Sequence, residues 1–174
     1  MGAAGAPRNI VVRDFASFYR SEYRSVVSLA AVLSGSRWAA EDLAQEAFAA
    51  AHRQWDEVGG YEYPNLWVRK VVANKAVSAI RRSISEARAR TLVGNSRPRL
   101  ETMPDESEMV WEEVRRLPRR QAQSIALVYL DGLSVEEAGA VIGCTGGTVK
   151  THLKRGRATL ARRLGVKVEV DHDA

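Results

Sequence analysis

The stretch that decides the fold runs from Leu133 to Leu160 and reads LSVEEAGAVIGCTGGTVKTHLKRGRATL. Ser134 with Glu137 three residues later is the pattern of a capping box, in which each side chain accepts a hydrogen bond from the other residue's backbone N–H. Gly143-Cys144-Thr145 has the composition of a tight turn, and a further helix is predicted from about Gly147 to Leu164. The pattern predicts two helices joined by a short turn, as in a helix-turn-helix.

The second of these helices is basic and has no acidic residue between Gly146 and Leu164. A helix-turn-helix places its second helix in the major groove of DNA, where side chains reach base edges and phosphates. Val149, Leu153 and Leu160 have the spacing of an inward face. We therefore predict that the outward donors bind duplex DNA: Thr148, Lys150, Thr151, His152, Lys154 and Arg155. A helical hairpin with a solvated basic face is the alternative.

Helical periodicity also covers most of the chain before this stretch. Asp14 is well placed to cap the first helix, and Pro64 suits the first turn of the third. The only alternation typical of a strand is Val166-Val168-Val170, in the tail. The helices are predicted over these approximate ranges: Asp14 to Leu33, Trp38 to Glu57, Pro64 to Arg82, Met109 to Arg116, Arg119 to Tyr129, Ser134 to Gly143 and Gly147 to Leu164.

Residues 83–107 differ from the helical segments on either side. They mix Ser, Arg, Gly, Asn, Pro and acidic residues, and their apolar residues follow no clear period. Such a composition predicts a flexible linker. The predicted fold class is therefore all-α with two small domains. These are a three-to-four-helix amino-terminal domain over residues 10–82 and a carboxy-terminal helix-turn-helix domain over residues 108–165, followed by a tail over residues 166–174.

A second candidate site lies at Tyr61–Arg82, YEYPNLWVRKVVANKAVSAIRR, where Glu62 is the only acidic residue. Unpaired bases stack on aromatic rings while cations follow the phosphates, so this mixture suits single-stranded nucleic acid. The candidate residues are Tyr61, Tyr63, Trp67, Arg69 and Lys70. The alternative is that Trp67 belongs to the core and that the cations are merely solvated, and the residues alone do not decide between the two.

A third candidate site is the predicted helix at Ala39–Glu57, which carries five acidic residues and a single basic one, Arg53. An acidic amphipathic helix in a basic protein is repelled by DNA and suits a protein partner. A solvated acidic face is the alternative interpretation of the same pattern.

Composition favours a nucleic-acid partner and gives no sign of an enzyme. The net charge is +5 over 174 residues, which favours an anionic partner. Cys144 is the only cysteine and the three histidines are far apart, so neither a disulfide nor a metal site is expected. We expect no catalytic residue and no cofactor. Without a signal peptide or an apolar run of about 20 residues, we expect a cytoplasmic protein that does not insert into membranes.

Taken in their order along the chain, the three segments resemble the extracytoplasmic function (ECF) sigma factors of the sigma-seventy family. The resemblance covers about Asp14 to Leu164. The run from Ala40 to Phe48, AEDLAQEAF, is similar to the family's acidic DxxQExF motif. In that family the helix carrying the motif docks on the clamp helices of the polymerase β′ subunit. The resemblance implies that core RNA polymerase is bound by Asp42, Gln45 and Glu46.

The same resemblance assigns the two nucleic-acid sites to promoter elements. The loop near Gly59 to Tyr63 is similar to the loop that captures a flipped base, and the helix from Thr148 to Leu160 is similar to the one that reads the minus-thirty-five element. Three residues match the spacing of the helix that reads the minus-ten element: Trp67, Asn74 and Arg81. The expected partners are core RNA polymerase (its β′ clamp helices and β flap), promoter DNA and, commonly in the family, an anti-sigma factor. The free chain is expected to be a monomer.

The chain departs from the family pattern at several positions. Ser78 stands where an Asp is usual, and Ala138-Gly139 replaces the usual Ile-Ala before the turn. Gly146 replaces an apolar residue and His152 replaces an Arg. Because glycines weaken helices by up to about 1 kcal/mol each, these changes leave the promoter sequence and the stability of the second domain open.

Two other functions are also left open by the sequence. One is a conventional helix-turn-helix regulator that binds duplex DNA without polymerase, which the Gln45-Glu46 motif and the aromatic-basic helix argue against. The other is a helical adaptor that binds only proteins, which the basic last helix argues against.

Overall fold

The computed structural model describes residues 14–76 and 106–165, and both ranges are helical with no strand. This confirms the all-α prediction for the described ranges, whereas most of the predicted linker, Arg81 and the tail alternation lie outside them. The helices are α1 Phe15–Ser34, α2 Arg37–Arg53, α3 Trp55–Val58, α4 64–76, α5 Glu106–Arg115, α6 Arg119–Ile125, α7 Val135–Ile142 and α8 Gly146–Leu164. A π-helical turn, Ala126–Leu130, directly follows α6.

The first half of the chain, residues 14–76, is a helical unit, and the ends of its helices follow local capping signals. Asp14 caps α1 by accepting from the backbone N–H of Ser17 at 3.0 Å, and α1 ends at Gly35 with φ 69°. The prediction of one unbroken helix from Trp38 to Glu57 is wrong, because the chain breaks at Gln54. The break turns the chain, and the ring of Trp55 packs 5.0 Å from that of Phe18.

The second half of the chain, residues 106–165, contains the predicted helix-turn-helix. Ser134 and Glu137 form the capping box at the start of α7, as the sequence predicts. Gly143 ends α7 with φ 75°, a left-handed conformation that glycine adopts without strain. Thr145 then caps α8 by accepting from the backbone N–H of Thr148 at 3.3 Å. The turn is therefore held by hydrogen bonds at both helix ends.

The two halves share a hydrophobic core. Leu29 and Leu33 of α1 and Ala73 of α4 are buried in one cluster with Leu117 and Ile125 of the second half. The sequence had left the relative placement of the two domains open, and here they are packed against each other. Within the described ranges, no helix has the length and apolar character needed to cross a bilayer.

Gly139 lies where α7 approaches the turn most closely. A Cβ atom at this position would stand 2.6 Å from the carbonyl oxygen of Cys144, whereas one at Gly147 would meet nothing closer than 3.9 Å. Glycine is therefore required at residue 139 by the backbone of the turn, which explains the departure from the family's alanine in this chain.

We predict that Gly139→Ala lowers the free energy of unfolding by about 1–3 kcal/mol, the usual range for forcing extra atoms into a packed site. Gly147→Ala is the matched control, because it also adds a methyl group to a helix but meets only an ordinary contact with Thr145 at 3.9 Å. It should be neutral or stabilising by up to about 1 kcal/mol. Urea unfolding followed by circular dichroism measures both, and equal midpoints for the two variants would contradict this account of Gly139.

Candidate functional site: three surfaces on one chain

The outward side of α8 carries the side chains predicted to bind duplex DNA. Val149 and Leu153 are buried against the second half, which turns the opposite side of the helix to solvent. Five of the six predicted donors are exposed: Thr148, Lys150, Thr151, Lys154 and Arg155. The hydroxyl of Thr151 donates to the carbonyl of Gly147 at 3.1 Å. The surface is therefore cationic and carries additional hydrogen-bonding groups.

His152 is the one predicted donor on α8 that is half-buried. Burial lowers the pKa of its imidazole, and the charges of Arg120 and Arg155 lower that pKa further. At neutral pH it therefore offers a hydrogen bond and carries little charge. Arg120, on α6, also donates to the carbonyl of Ile142. It adds a cation to this surface that sequence reasoning missed, because only tertiary packing brings α6 to α8.

The aromatic residues before and within α4 are partly exposed, and the two tyrosines are hydrogen-bonded to acidic neighbours. Tyr61 is 40% exposed, and its hydroxyl donates to Glu57 at 2.6 Å. A hydrogen bond to Glu57 raises the pKa of Tyr61, and one to Glu62 raises the pKa of Tyr63. Trp67 is half-buried and packs against the core of the first half. Its ring therefore combines a core role with a partly exposed surface.

Arg69 does not lie on the exposed surface that the sequence analysis gave it. It is 5% exposed, and its guanidinium contacts Asp131 at 2.5 and 3.1 Å and Glu22 at 2.6 Å. It also donates to the hydroxyl of Ser25 at 3.0 Å. Burial alone would lower its pKa, but the bonds and charges of Asp131 and Glu22 outweigh burial and raise it. In this arrangement Arg69 cannot contact DNA.

Asn74 is also in contact with the second half of the chain. Its side-chain oxygen accepts a hydrogen bond from Arg119 of α6 at 2.6 Å. One turn further along α6, Gln123 donates to the backbone carbonyl of Ala73 at 2.9 Å. Lys70, by contrast, is exposed. Two of the residues predicted to face DNA on α4, Arg69 and Asn74, are therefore covered or contacted by the second half.

The outward face of α2 carries the predicted protein-binding residues. Asp42, Gln45 and Glu46 are all exposed, and Glu46 forms a solvent-exposed ion pair with Lys75 of α4 at 2.5 Å. A shallow groove between α1 and α2 lies beside them, lined by Phe15, Tyr19, Gln45, Phe48, Ala49, His52 and Arg53. The structure thus brings acidic, polar and aromatic side chains to one side of the first half.

Trp38 belongs to the same face of α2 and was missed by sequence reasoning. It is 79% exposed, which is unusual for the largest aromatic side chain. It precedes Asp42 by four residues and Gln45 by seven, and residues at those spacings share one face of a helix. That spacing was the signal in the sequence that could have identified it.

The comparisons with known proteins agree with this architecture. The sigma-70 region 2 model matches residues 18–84 and the sigma-70 region 4 model matches residues 107–160. The ECF RNA polymerase sigma factor SigM of Mycobacterium tuberculosis is 28% identical over 158 residues, 87% of this chain and 77% of SigM. The ECF sigma factor SigW of Bacillus subtilis is 26% identical over 166 residues, 87% of each chain.

A solved structure extends the similarity to the three-dimensional arrangement. The sigma factor RpoE of Bartonella quintana, crystallised with the anti-sigma factor NepR, matches with a TM-score of 0.68 at 26% identity. The match covers 90% of this chain and 100% of RpoE. With both sigma-70 regions present in order and the fold shared across both halves, the chain belongs to the sigma-70 family as an ECF sigma factor, one of the factors that direct RNA polymerase to promoters.

Proposed function

We propose that this sigma factor binds polymerase and promoter DNA through three separate surfaces. The outward face of α2 binds core RNA polymerase, α8 binds the duplex minus-thirty-five element, and α4 with its preceding loop binds the opened minus-ten strand. The observation that carries the proposal is the separation of charge: the outer side of α8 is cationic, whereas the outer side of α2 presents carboxylates. The factor acts by binding alone, without chemistry of its own, in the cytoplasm where polymerase and promoters meet.

The assignment of α8 to duplex DNA rests on which of its side chains are exposed. Lys150, Lys154 and Arg155 are exposed on the side opposite the buried Val149 and Leu153. Cations at this spacing follow the phosphates while the hydroxyls of the first turns reach base edges. The proposed domains are residues 10–82 for polymerase and the minus-ten element, and residues 108–165 for the minus-thirty-five element.

The assignment of α2 to polymerase rests on Trp38 and on the acidic residues that follow it. Exposed tryptophans are enriched among the residues that dominate binding energy at protein interfaces. The carboxylates of Asp42 and Glu46 favour a basic partner surface. Because exposed ion pairs contribute at most about 1 kcal/mol, Glu46 can exchange Lys75 for a cation of the partner at little cost.

The loop before α4 supplies the aromatic surface for an unpaired strand. Tyr61 and the partly exposed ring of Trp67 offer stacking faces, and the exposed Lys70 offers a cation for the phosphates. Stacking of a base on an aromatic ring contributes about 1–3 kcal/mol and tolerates many sequences. An anti-sigma factor is a further proposed partner, supported by the similarity to RpoE, which was crystallised with NepR.

Run-off transcription tests the proposal as a whole. Purified core polymerase is assayed with and without the chain on a library of genomic fragments. Transcripts that depend on the chain establish its activity and reveal its promoters. A shift of duplex DNA without any transcript would instead indicate a conventional regulator, and neither signal would indicate an adaptor that binds only proteins.

We predict that the double variant Lys150→Ala, Lys154→Ala weakens binding to a promoter duplex and flattens its salt dependence. Each lost phosphate contact reduces the slope of log K against log salt by about 0.9, so the slope should fall by roughly 1.8. Fluorescence anisotropy between 50 and 200 mM NaCl (about the range over which counterion release dominates) measures it. Arg20→Ala with Arg24→Ala removes two exposed cations from α1 and should leave the slope nearly unchanged. An unaltered slope in the α8 variant would remove that helix from the contact.

Trp38→Ala should weaken binding to core polymerase by about thirtyfold, the effect of losing ~2 kcal/mol at an interface hot spot. Competition against a labelled wild-type chain measures the loss. Met109→Ala is the control, because Met109 is also an exposed apolar side chain, 53% exposed, but lies on α5. Equal affinities for Trp38→Ala and wild type would show that the face of α2 around Trp38 is not the docking surface.

Trp67→Ala should impair promoter opening more than duplex binding, because its ring is proposed to stack on an unpaired base. Permanganate reactivity of thymines around the start site reports opening, and a gel shift on ice reports closed binding. Val71→Ala is the control, since Val71 is half-buried, packs against the same core and lies one helical turn away. The stacking role fails if both variants give the same permanganate pattern.

A further inference from the structure

Arg120, in the first turn of α6, is an exposed cation that pairs with no carboxylate within residues 14–76 and 106–165. The arginines near it in the sequence are engaged. Arg115 and Arg116 pair with carboxylates of α5, and Arg119 donates to Asn74. Because no carboxylate of the described chain neutralises it, the charge of Arg120 is available to an anion from outside.

The guanidinium of Arg120 is held at the end of α7. Its Nη1 donates to the backbone carbonyl of Ile142, the last residue of α7. The last carbonyls of a helix carry partial negative charge and favour a cation. This is the one side-chain hydrogen bond of Arg120 within the described ranges, whereas a guanidinium has five N–H donors. Its remaining donors have the planar geometry that suits a phosphate.

Arg120 also lies close to the donors that α8 presents. Burial lowers the pKa of His152, and the charges of Arg120 and Arg155 lower that pKa further. Because a charge shifts a pKa strongly only from a short distance, both guanidiniums lie near the same imidazole. Arg155 is one of the exposed donors of α8. Thus α6 adds a cation to a surface whose other cations belong to α8.

We propose that Arg120 is part of the duplex contact, in which its guanidinium binds the DNA phosphate that passes beside His152 on α8. The uncharged imidazole leaves this place to a cation from α6, and the carbonyl of Ile142 positions that cation before DNA arrives. A side chain that is already positioned loses less conformational entropy on binding. The duplex is then held by α6 and α8 together. This inference rests on the proposed role of α8 in binding duplex DNA.

The test uses full-length chains and a labelled duplex of random sequence, because phosphate contacts carry no sequence information. Arg120→Gln removes the charge but keeps an amide N–H that can donate to the carbonyl of Ile142, and Arg120→Lys keeps the charge. Arg24→Gln is the control, since it removes one exposed cation from α1 and changes the net charge equally. Fluorescence anisotropy measures affinity between about 50 and 200 mM NaCl, and thermal unfolding checks that each variant is folded.

Arg120→Gln should lower the slope of log K against log salt by about 0.9, the effect of one lost phosphate contact. Arg120→Lys and Arg24→Gln should keep the slope of the unchanged chain. An unchanged slope in Arg120→Gln would overturn the inference. An equal fall in Arg24→Gln would also overturn it, because the effect would then follow net charge and not the position of the cation.

A second comparison moves the cation to the neighbouring position. Adding His152→Arg to the Arg120→Gln chain should return the slope by about 0.9, since the new guanidinium lies beside the same phosphate. Adding it to the unchanged chain should give a smaller gain, because Arg120 already binds that phosphate. Positions that act independently give additive effects. Equal gains in the two chains would therefore contradict a shared phosphate.

The same assay separates this inference from the function on which it rests. The double variant Lys150→Ala, Lys154→Ala is measured beside Arg120→Gln on the same duplex, without polymerase. A lower slope in the lysine variant alone would overturn the role of Arg120 and leave the assignment of α8 intact. A lower slope in Arg120→Gln alone would support the contact of Arg120 and remove the two lysines from the surface that binds duplex DNA.

Discussion

The buried guanidinium of Arg69 joins groups that come from distant parts of the chain. Glu22 and Ser25 approach it from α1, and Asp131 approaches it from the turn before α7. Near this contact, apolar residues of α1, α4 and α5 to α8 form one core. The relative position of the surfaces proposed to bind polymerase and DNA depends on it, because this contact and that shared core hold one half against the other.

A closed arrangement suits a factor whose two DNA contacts are each modest. When both contacts act on one promoter, the tether between the domains turns the second binding event into an intramolecular one. Interfaces between domains of one chain commonly resemble transient protein–protein interfaces, so two packed halves can separate without either one unfolding.

Local signals predicted most of the fold and part of the site. The Asp14 cap and the capping box of Ser134 with Glu137 depend on residues within three positions of each other, and the sequence shows them directly. The exposed side of α8 was also predictable, since Val149 and Leu153 define its buried side. The break at Gln54 was not, because it is stabilised by packing of Trp55 against α1, which no periodicity reveals.

The partners of Arg69 and Asn74 could not be read from the sequence. Asp131 and Arg119 lie 62 and 45 residues away from them, and a basic helix next to aromatics gives no sign of being covered by another domain. Gly139 is a similar case, since the carbonyl of Cys144 that excludes a side chain there is brought close only by the turn. The deciding contacts of Arg69 and Asn74 are tertiary and that of Gly139 depends on the path of the turn, whereas the sequence pattern reports only neighbours on one helix.

Small-angle X-ray scattering of the free chain at physiological salt tests the central claim, that the two halves are packed together before any partner binds. A compact chain of 174 residues has a radius of gyration of about 16 Å. The account predicts a pair-distance distribution with one main peak and a radius near that value. Two resolved peaks, which indicate separate lobes joined by a tether, would contradict it.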